Sequence, residues 1–374
     1  MLAREAIANG VTHKTTQTRQ KYWQHWRDYA SLFTIDPFLQ NSDNSNLEQE
    51  LLICAFAARV RTGTYGRGSQ IKVSGVSDAL SAISKTFQLA GQHSPIYEEE
   101  ATYKVNFQRL VEGFRREDPP SIPQLAVPIT VPNQCITLTQ HSTDDGNIAT
   151  AQLIIIAFYY LLRVGEYTKP KYITRNKKKL RATRTVQFSI GNIGFFKNDK
   201  ILPRTSPLHI LLQADSCTLK ITNQKNGRMG DTIHQRAIHT TFCPIQALAR
   251  RVHHILSNSG TDETLLCDYY TNDEWHSVES KHIIIMVRLA AKTLQLDKAG
   301  IDPDLIAAHS LRAGGAMALK LHGYNDTTIM KMGRWTSLIF LQYIHSQIAH
   351  LSKDISSKMS IPVTFLNIAS IERH

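Results

Sequence analysis

The stretch AHSLRAGGA, residues 308–316, governs the reading of this chain. His309 and Arg312 stand three apart in a segment with helical character. On a helix, positions i and i+3 share a face, so the imidazole and the guanidinium can address one anionic group. Alone the pair is weak, because such residues more often meet solvent or cap a helix. Gly314 and Gly315 follow directly and thin the helix surface, which permits close approach of a ligand or of another element.

Three other segments supply complementary chemistry. LLRVGEY (161–167) ends an apolar run with Arg163 and adds Glu166 three residues later. MGRWTS (332–337) holds Trp335, and FLQYIH (340–345) holds Tyr343. Breaking a phosphodiester without metal needs such a set. The diester repels a nucleophile, more charge develops on its equatorial oxygens in the transition state, and the leaving oxygen needs a proton. Arginine forks match paired phosphate oxygens and stay charged. A tyrosine supplies an oxygen nucleophile and forms a stable phosphotyrosine. Lysine or histidine can move protons. Arg163 by itself reads as a side chain snorkelling from the end of an apolar helix. Beside the other motifs, the phosphate reading is the stronger one.

HSLRAGGA resembles HxLRxGxA, the second signature of the tyrosine recombinases (the phage integrase family), and LLRVGE resembles the first. Trp335 lies 23 residues after Arg312, the usual family spacing, where many members have histidine and some have tryptophan. FLQYIH resembles the surroundings of the family's nucleophile. Tyr343 follows Trp335 by eight residues, a spacing that leans towards members from eukaryotic mobile elements. Tyr324 precedes Trp335 and stands in the wrong order. The resemblance implies Arg163 and Arg312 as a phosphate clamp and Tyr343 as the nucleophile. It implies His309 as a hydrogen-bond donor or proton carrier, and Trp335 as an indole donor packed against the segment of Tyr343. Glu166 is implied as a support for Arg163 or its turn, since phosphate repels a carboxylate. The family's catalytic lysine lies in a β-hairpin and protonates the leaving 5′-oxygen. Lys225, in NQKNGRMG, is preferred for it over Lys220, in TLKIT.

The bulk properties fit this reading. The chain has 374 residues, 42% of them hydrophobic, enough for sizeable cores and more than one domain. A net charge of +12 favours DNA as partner, although RNA or an anionic membrane fits the same number. KPKYITRNKKKLRATR (169–184) carries eight basic residues and no acidic one: Lys169, Lys171, Arg175, Lys177, Lys178, Lys179, Arg181 and Arg184. Out of context such a run is a solvated face. Beside a phosphate-cleaving site its residues are candidates for DNA-backbone contact, which positions a protein without specifying sequence. The part of this run around Lys177, Lys178, Lys179 and Arg181 is the best candidate for a nuclear address, and DNA contact explains that part equally well. Five scattered cysteines without a CxxC argue for a reduced compartment and against a disulfide scaffold. No HExxH or tight His/Asp cluster occurs, and the chemistry needs no metal and no cofactor. The apolar run LIIIAFYYLL (153–162) is too short to cross a bilayer and reads as a buried helix. The N-terminus lacks a secretory apolar core.

Periodicity predicts helices over 16–35, 46–62, 74–91 and 101–117. Trp23 and Trp26 read as core residues, and GTYGRGSQ (63–70) reads as a turn. Prolines at 119, 120, 123, 128 and 132 mark a linker. A helix capped by Thr143 or Asp144 then leads into LLRVGEY. Strand character follows over 182–213, including SPLHILLQ, and SCTLKITNQ pairs with DTIHQRAI. Helices resume at CPIQALARRVHHILSNSG, KHIIIMVRLAAKTLQLD and DLIAAHSLRAGGAMALKLHG.

The expected fold is mainly α. A helical DNA-clamping domain occupies 1–118 and a proline-rich linker 119–133. A mixed α/β catalytic domain with a small antiparallel sheet occupies 134–355. The tail, 356–374, contains apolar IPVTFLNIA and suits packing between subunits or at home. The expected function is site-specific recombination of double-stranded DNA through a 3′-phosphotyrosine, by a tetramer on paired sites and away from membranes. The location is the nucleus in a eukaryotic host and the cytoplasm otherwise. Relaxation of DNA in the manner of a type IB topoisomerase, or DNA binding by a retired mobile-element protein, are the alternatives.

Overall fold

Trp26 shows how the first helix is held. It lies on helix α1 (His13–Ser31), fully buried, with its indole N–H donating to the Pro37 carbonyl at 2.8 Å. Its ring meets Phe56 edge-on at 5.4 Å, and Trp23 packs on Phe38 and Phe87. Both tryptophans therefore serve the core. The computed structural model of the chain describes residues 10–40, 46–65, 68–99, 102–119, 125–175, 178–181, 185–222 and 230–343. Lys177, Arg184, Lys225 and the tail at 356–374 lie outside them.

Contacts divide the chain into two units. One comprises residues 1–121 together with 172–183, and the other 122–171 together with 184–374. The first unit is built from α1, α2 (Asn46–Arg61), α3 (Val73–Leu89) and α4 (Val105–Glu117). Its core includes Phe56, Leu80, Ile83 and Phe107. Arg61 is buried and reaches the Asp118 carboxylate, whose other oxygen accepts the Val73 N–H at 2.9 Å. One partly buried ion pair thus fastens the ends of three helices. Helix α4 starts later than its sequence suggests. Residues 102–103 form strand β2, paired antiparallel with β1 (Tyr97–Glu99), because Tyr97 and Tyr103 stack at 4.8 Å. The basic run also holds regular structure. Strands β3 (Tyr172–Arg175) and β4 (Lys178–Arg181) pair as a hairpin, with Ile173 opposite Leu180.

The second unit is organised by helix α6 (Asp145–Tyr159). Asp144 caps it, accepting the Asn147 N–H at 3.0 Å. From Ala149 to Phe158 every residue is buried, so the helix is surrounded by protein. It packs against α5 (Thr130–Leu138), α9 (Pro244–Ser257) and α10 (Ser280–Thr293). Helix α5 was not predicted. Its Pro132 falls in the first turn, where backbone N–H groups lack helical partners anyway, so the proline starts a helix here rather than interrupting one.

Four antiparallel strands form the sheet in the order β6-β5-β7-β8. They are β5 (Ile193–Lys197), β6 (Lys200–Leu202), β7 (Ser216–Lys220) and β8 (Thr232–Arg236). Phe195 and Cys217 pair across β5 and β7 and both face the core. SPLHILLQ is no strand: Leu208–Leu211 form a short helix, α8, because the Pro207 carbonyl accepts from Ile210 and Leu211 N–H groups. A further hairpin, β9 (Asp268–Thr271) with β10 (Glu274–Ser277), lies between α9 and α10 in sequence. Helices α11 (His309–Leu321) and α12 (Asp326–Gly333) follow, with Val164–Tyr167 as the short α7. The architecture is mainly helical with small antiparallel sheets, the fold class the sequence predicts.

Candidate active site

The site begins where α6 ends. Leu162 N–H donates to the Ala157 carbonyl at 3.0 Å, and Leu161 N–H to Phe158 at 3.4 Å. This crossed pair terminates a helix through a residue in the left-handed conformation, which is usually glycine. Here the residue is Leu161, at φ 49°. A branched, buried side chain in that region costs about 1–2 kcal/mol. The turn redirects the chain so that Arg163 starts α7, and it turns the Leu161 carbonyl towards two arginines.

Arg312 is the first of them. It is 3% exposed on α11, and its Nη1 donates to the Leu161 carbonyl and its Nη2 to that of Gly333. The guanidinium lies 4.3 Å from the ring centroid of Trp335, within cation–π range. Arg334 is the second. Its Nη2 reaches the same Leu161 oxygen at 3.1 Å and Glu166 Oε2 at 3.0 Å. Glu166 is 1% exposed. Its Oε2 also accepts the Arg163 backbone N–H at 2.8 Å, and its Oε1 lies 3.3 Å from Arg163 Nη1. Burial pushes the Arg334 pKa down, and the Glu166 carboxylate works against that shift. Three guanidiniums, one carboxylate and one strained carbonyl therefore share a small volume. Such density of charge, partly buried, is the setting in which catalytic sites are built.

Glycines make the approach possible. A Cβ on Gly314 would sit 2.1 Å from the Val127 carbonyl oxygen, and one on Gly315 would sit 2.4 Å from the Phe158 oxygen. Of the two partners open to this pair, the structure shows another protein element, with α11 pressed against the end of α6 and the irregular segment entering α5.

Arg163, Glu166, Arg312 and Trp335 are joined through the contacts above. His309 is exposed at the start of α11, one turn before Arg312. Trp335 packs on Phe340 at 5.4 Å. Phe340 belongs to a 3-10 helix, Leu338–Tyr343, that carries the backbone of Tyr343; the Tyr343 side chain lies outside the described residues. Lys220 ends β7, exposed and paired with Thr232 of β8, and Lys225 lies outside the described residues. Lys169 and Lys171 are exposed, and Lys169 lies 3.7 Å from Glu279. The backbones of Arg175, Lys178, Lys179 and Arg181 form β3 and β4, and their side chains lie outside the described residues. Among the described residues no group of His, Cys, Asp and Glu could hold a metal, and no helix is long and apolar enough to cross a membrane.

Sequence reading missed Arg334. The signal was present in MGRWTS, since a buried acid such as Glu166 demands a cation, but nothing in the spacing pairs positions 166 and 334.

No protein-family model matches the chain, and no curated protein matches it in sequence. Solved structures do. The XerH site-specific recombinase, in a post-cleavage complex with a palindromic difH substrate, is 14% identical with a TM-score of 0.51. That match covers 90% of this chain and 77% of XerH. The Tn1549 transposon integrase, bound to circular intermediate DNA, is 11% identical with a TM-score of 0.46, covering 95% of this chain and 97% of that one. The XerA recombinase is 13% identical with a TM-score of 0.38, covering 93% and 100%. The likeness to XerH is one of fold: this chain shares the architecture of that site-specific recombinase. These are Xer and transposon integrases, not proteins of eukaryotic mobile elements, the group towards which the spacing of Tyr343 leans.

Proposed function

We propose that this protein is a site-specific DNA recombinase that cuts and rejoins double-stranded DNA through Tyr343. The observation that carries the proposal is the convergence of Arg163 and Arg312 on one turn. They come from signatures about 150 residues apart, and both are tied to that turn through Glu166 or the Leu161 carbonyl. Arg163 and Arg312 hold the scissile phosphate and offset the charge that builds on its oxygens. The Tyr343 oxygen attacks phosphorus and the bond to the 5′-oxygen breaks. A 3′-phosphotyrosine and a free 5′-hydroxyl result. The leaving oxygen takes a proton from the hairpin lysine, Lys225 in preference to Lys220, and His309 carries the phenol proton or donates to the phosphate. Trp335 supports the segment of Tyr343. A second 5′-hydroxyl then attacks the phosphotyrosine, reseals the strand and restores the phenol. The phosphate bond energy is conserved, so no cofactor is consumed. Four subunits on two paired sites exchange two duplexes. The basic residues of 169–184 supply backbone contacts.

The test is strand exchange between two labelled duplexes carrying the DNA that flanks the gene. Exchange that requires both partner duplexes supports recombination. Relaxation of a supercoiled plasmid without exchange supports a topoisomerase, and specific binding without cleavage supports a retired DNA-binding protein.

A further inference from the structure

Arg334 is an expensive residue where it stands. It is 5% exposed, and it caps α12 in the left-handed conformation, at φ 57°. Glycine suits that position best, and a glycine, Gly333, stands one residue earlier in ordinary helical backbone. Gly333 has its own reason: a Cβ there would fall 1.7 Å from a carbon of the Trp335 ring. The strain at 334 therefore accompanies a side chain with work to do. That side chain binds Glu166 and the Leu161 carbonyl, and the same two groups fix Arg163 and Arg312. Its Nε and Nη1 meet no acceptor among the described residues. Asp231, which precedes β8 in the lysine-bearing hairpin, also acts on its charge.

We infer that Arg334 is a positioning residue that sets the separation of the two phosphate-binding arginines, by holding Glu166 and the Leu161 carbonyl together on its Nη2. The inference rests on the phosphate-clamp reading proposed above. Arg334 does not touch the phosphate in this account. Both bonds leave one nitrogen, Nη2, at the far end of a rigid planar group, and the shorter, flexible side chain of lysine does not hold its ammonium at that point. A displacement of about 1 Å at a catalytic group can cost roughly a hundredfold in rate.

The experiment compares the wild type with Arg334→Met and Arg334→Lys, using Tyr343→Phe as the chemical blank. The probes are nicked duplexes tiled across the DNA flanking the gene, with protein in excess. The maximal rate of adduct formation is read separately from the DNA concentration giving half-saturation. For Arg334→Met, assayed below its lowered melting temperature because buried Glu166 loses a partner, the expected result is a maximal rate about a hundredfold lower, with half-saturation little changed and a cooperative unfolding transition retained. Arg334→Lys recovers only part of the loss. A maximal rate like the wild type's overturns the inference, as does a loss of rate that merely tracks lost folding. A crystal structure of Arg334→Met decides the matter independently of activity. Movement of the Arg312 guanidinium away from the Leu161 carbonyl supports the inference, and an unmoved Arg163–Arg312 pair overturns it. Absence of an adduct in the wild type, with Arg312 displaced in the variant, would contradict the cleavage reading and leave the positioning geometry standing.

Discussion

Arg312 and Arg334 donate to the same carbonyl oxygen, that of Leu161. One side chain comes from the first turn of α11 and the other from the end of α12, yet both address a residue more than 150 positions earlier. A helix end that leaves its last carbonyls without partners ordinarily turns them to solvent or to a cap. Here two buried cations take that role, and the carbonyl's partial negative charge relieves part of their burial. The left-handed turn at Leu161 is therefore tied to the arginines, which matches the tendency of strain to collect at functional sites.

Close packing at α11 predicts a steep cost for small insertions. Gly314→Ala places a methyl 2.1 Å from a backbone oxygen, which cannot rotate away. Thermal melting should show destabilisation of at least about 1–3 kcal/mol. Gly113→Ala is the control. Gly113 is an exposed position inside α4 with nothing within 4 Å of its added methyl. That change should stabilise by about 0.5–1 kcal/mol. Equal effects from both substitutions would contradict the packing described.

Acid should loosen the first unit through Asp118. The Val73 N–H bond, then the Arg61 guanidinium, hold its carboxyl below the usual carboxylate range. A carboxyl depressed in the folded state contributes fully above its unfolded pKa, about 3.9. That contribution is lost as pH falls through the lower folded value. Denaturant midpoints measured from pH 7 to pH 3 should fall at the acid end. Asp118→Asn should be less stable at pH 7 and show a shallower acid decline. An unchanged acid profile in the variant would show that other carboxylates govern it.

The β3–β4 hairpin offers a test by salt. Replacing Lys178, Lys179 and Arg181 by alanine should weaken DNA binding to a similar degree on every sequence. The slope of log affinity against log salt should become shallower by about 0.9 for each phosphate that these side chains neutralise. A change confined to one DNA sequence would instead mark these residues as base readers.

The parts of this molecule that were legible in the sequence are those decided locally. The run around LIIIAFYYLL announced a buried helix because no face of it carries charge, and Arg163 stood out by ending that run. AHSLRAGGA disclosed the helix of Arg312 through spacing alone. What escaped depends on partners distant in the chain or on one backbone bond. Arg334 gains its meaning from Glu166, far away in sequence, and from a left-handed cap. SPLHILLQ carries the apolar density of a strand, yet the Pro207 carbonyl starts a helical turn there. The charge density of KPKYITRNKKKLRATR concealed an Ile173–Leu180 pair at the centre of a hairpin.

The central claim is that Tyr343 joins itself to DNA, and covalent capture tests it most directly. Wild-type protein and Tyr343→Phe are incubated with supercoiled plasmid and nicked duplexes carrying the DNA that flanks the gene, then denatured and resolved. The account predicts a denaturation-resistant adduct at a DNA 3′-phosphate with the wild type and none with Tyr343→Phe, while both bind DNA alike. An adduct that persists in Tyr343→Phe, or sequence-specific binding by the wild type with no adduct at all, would contradict it.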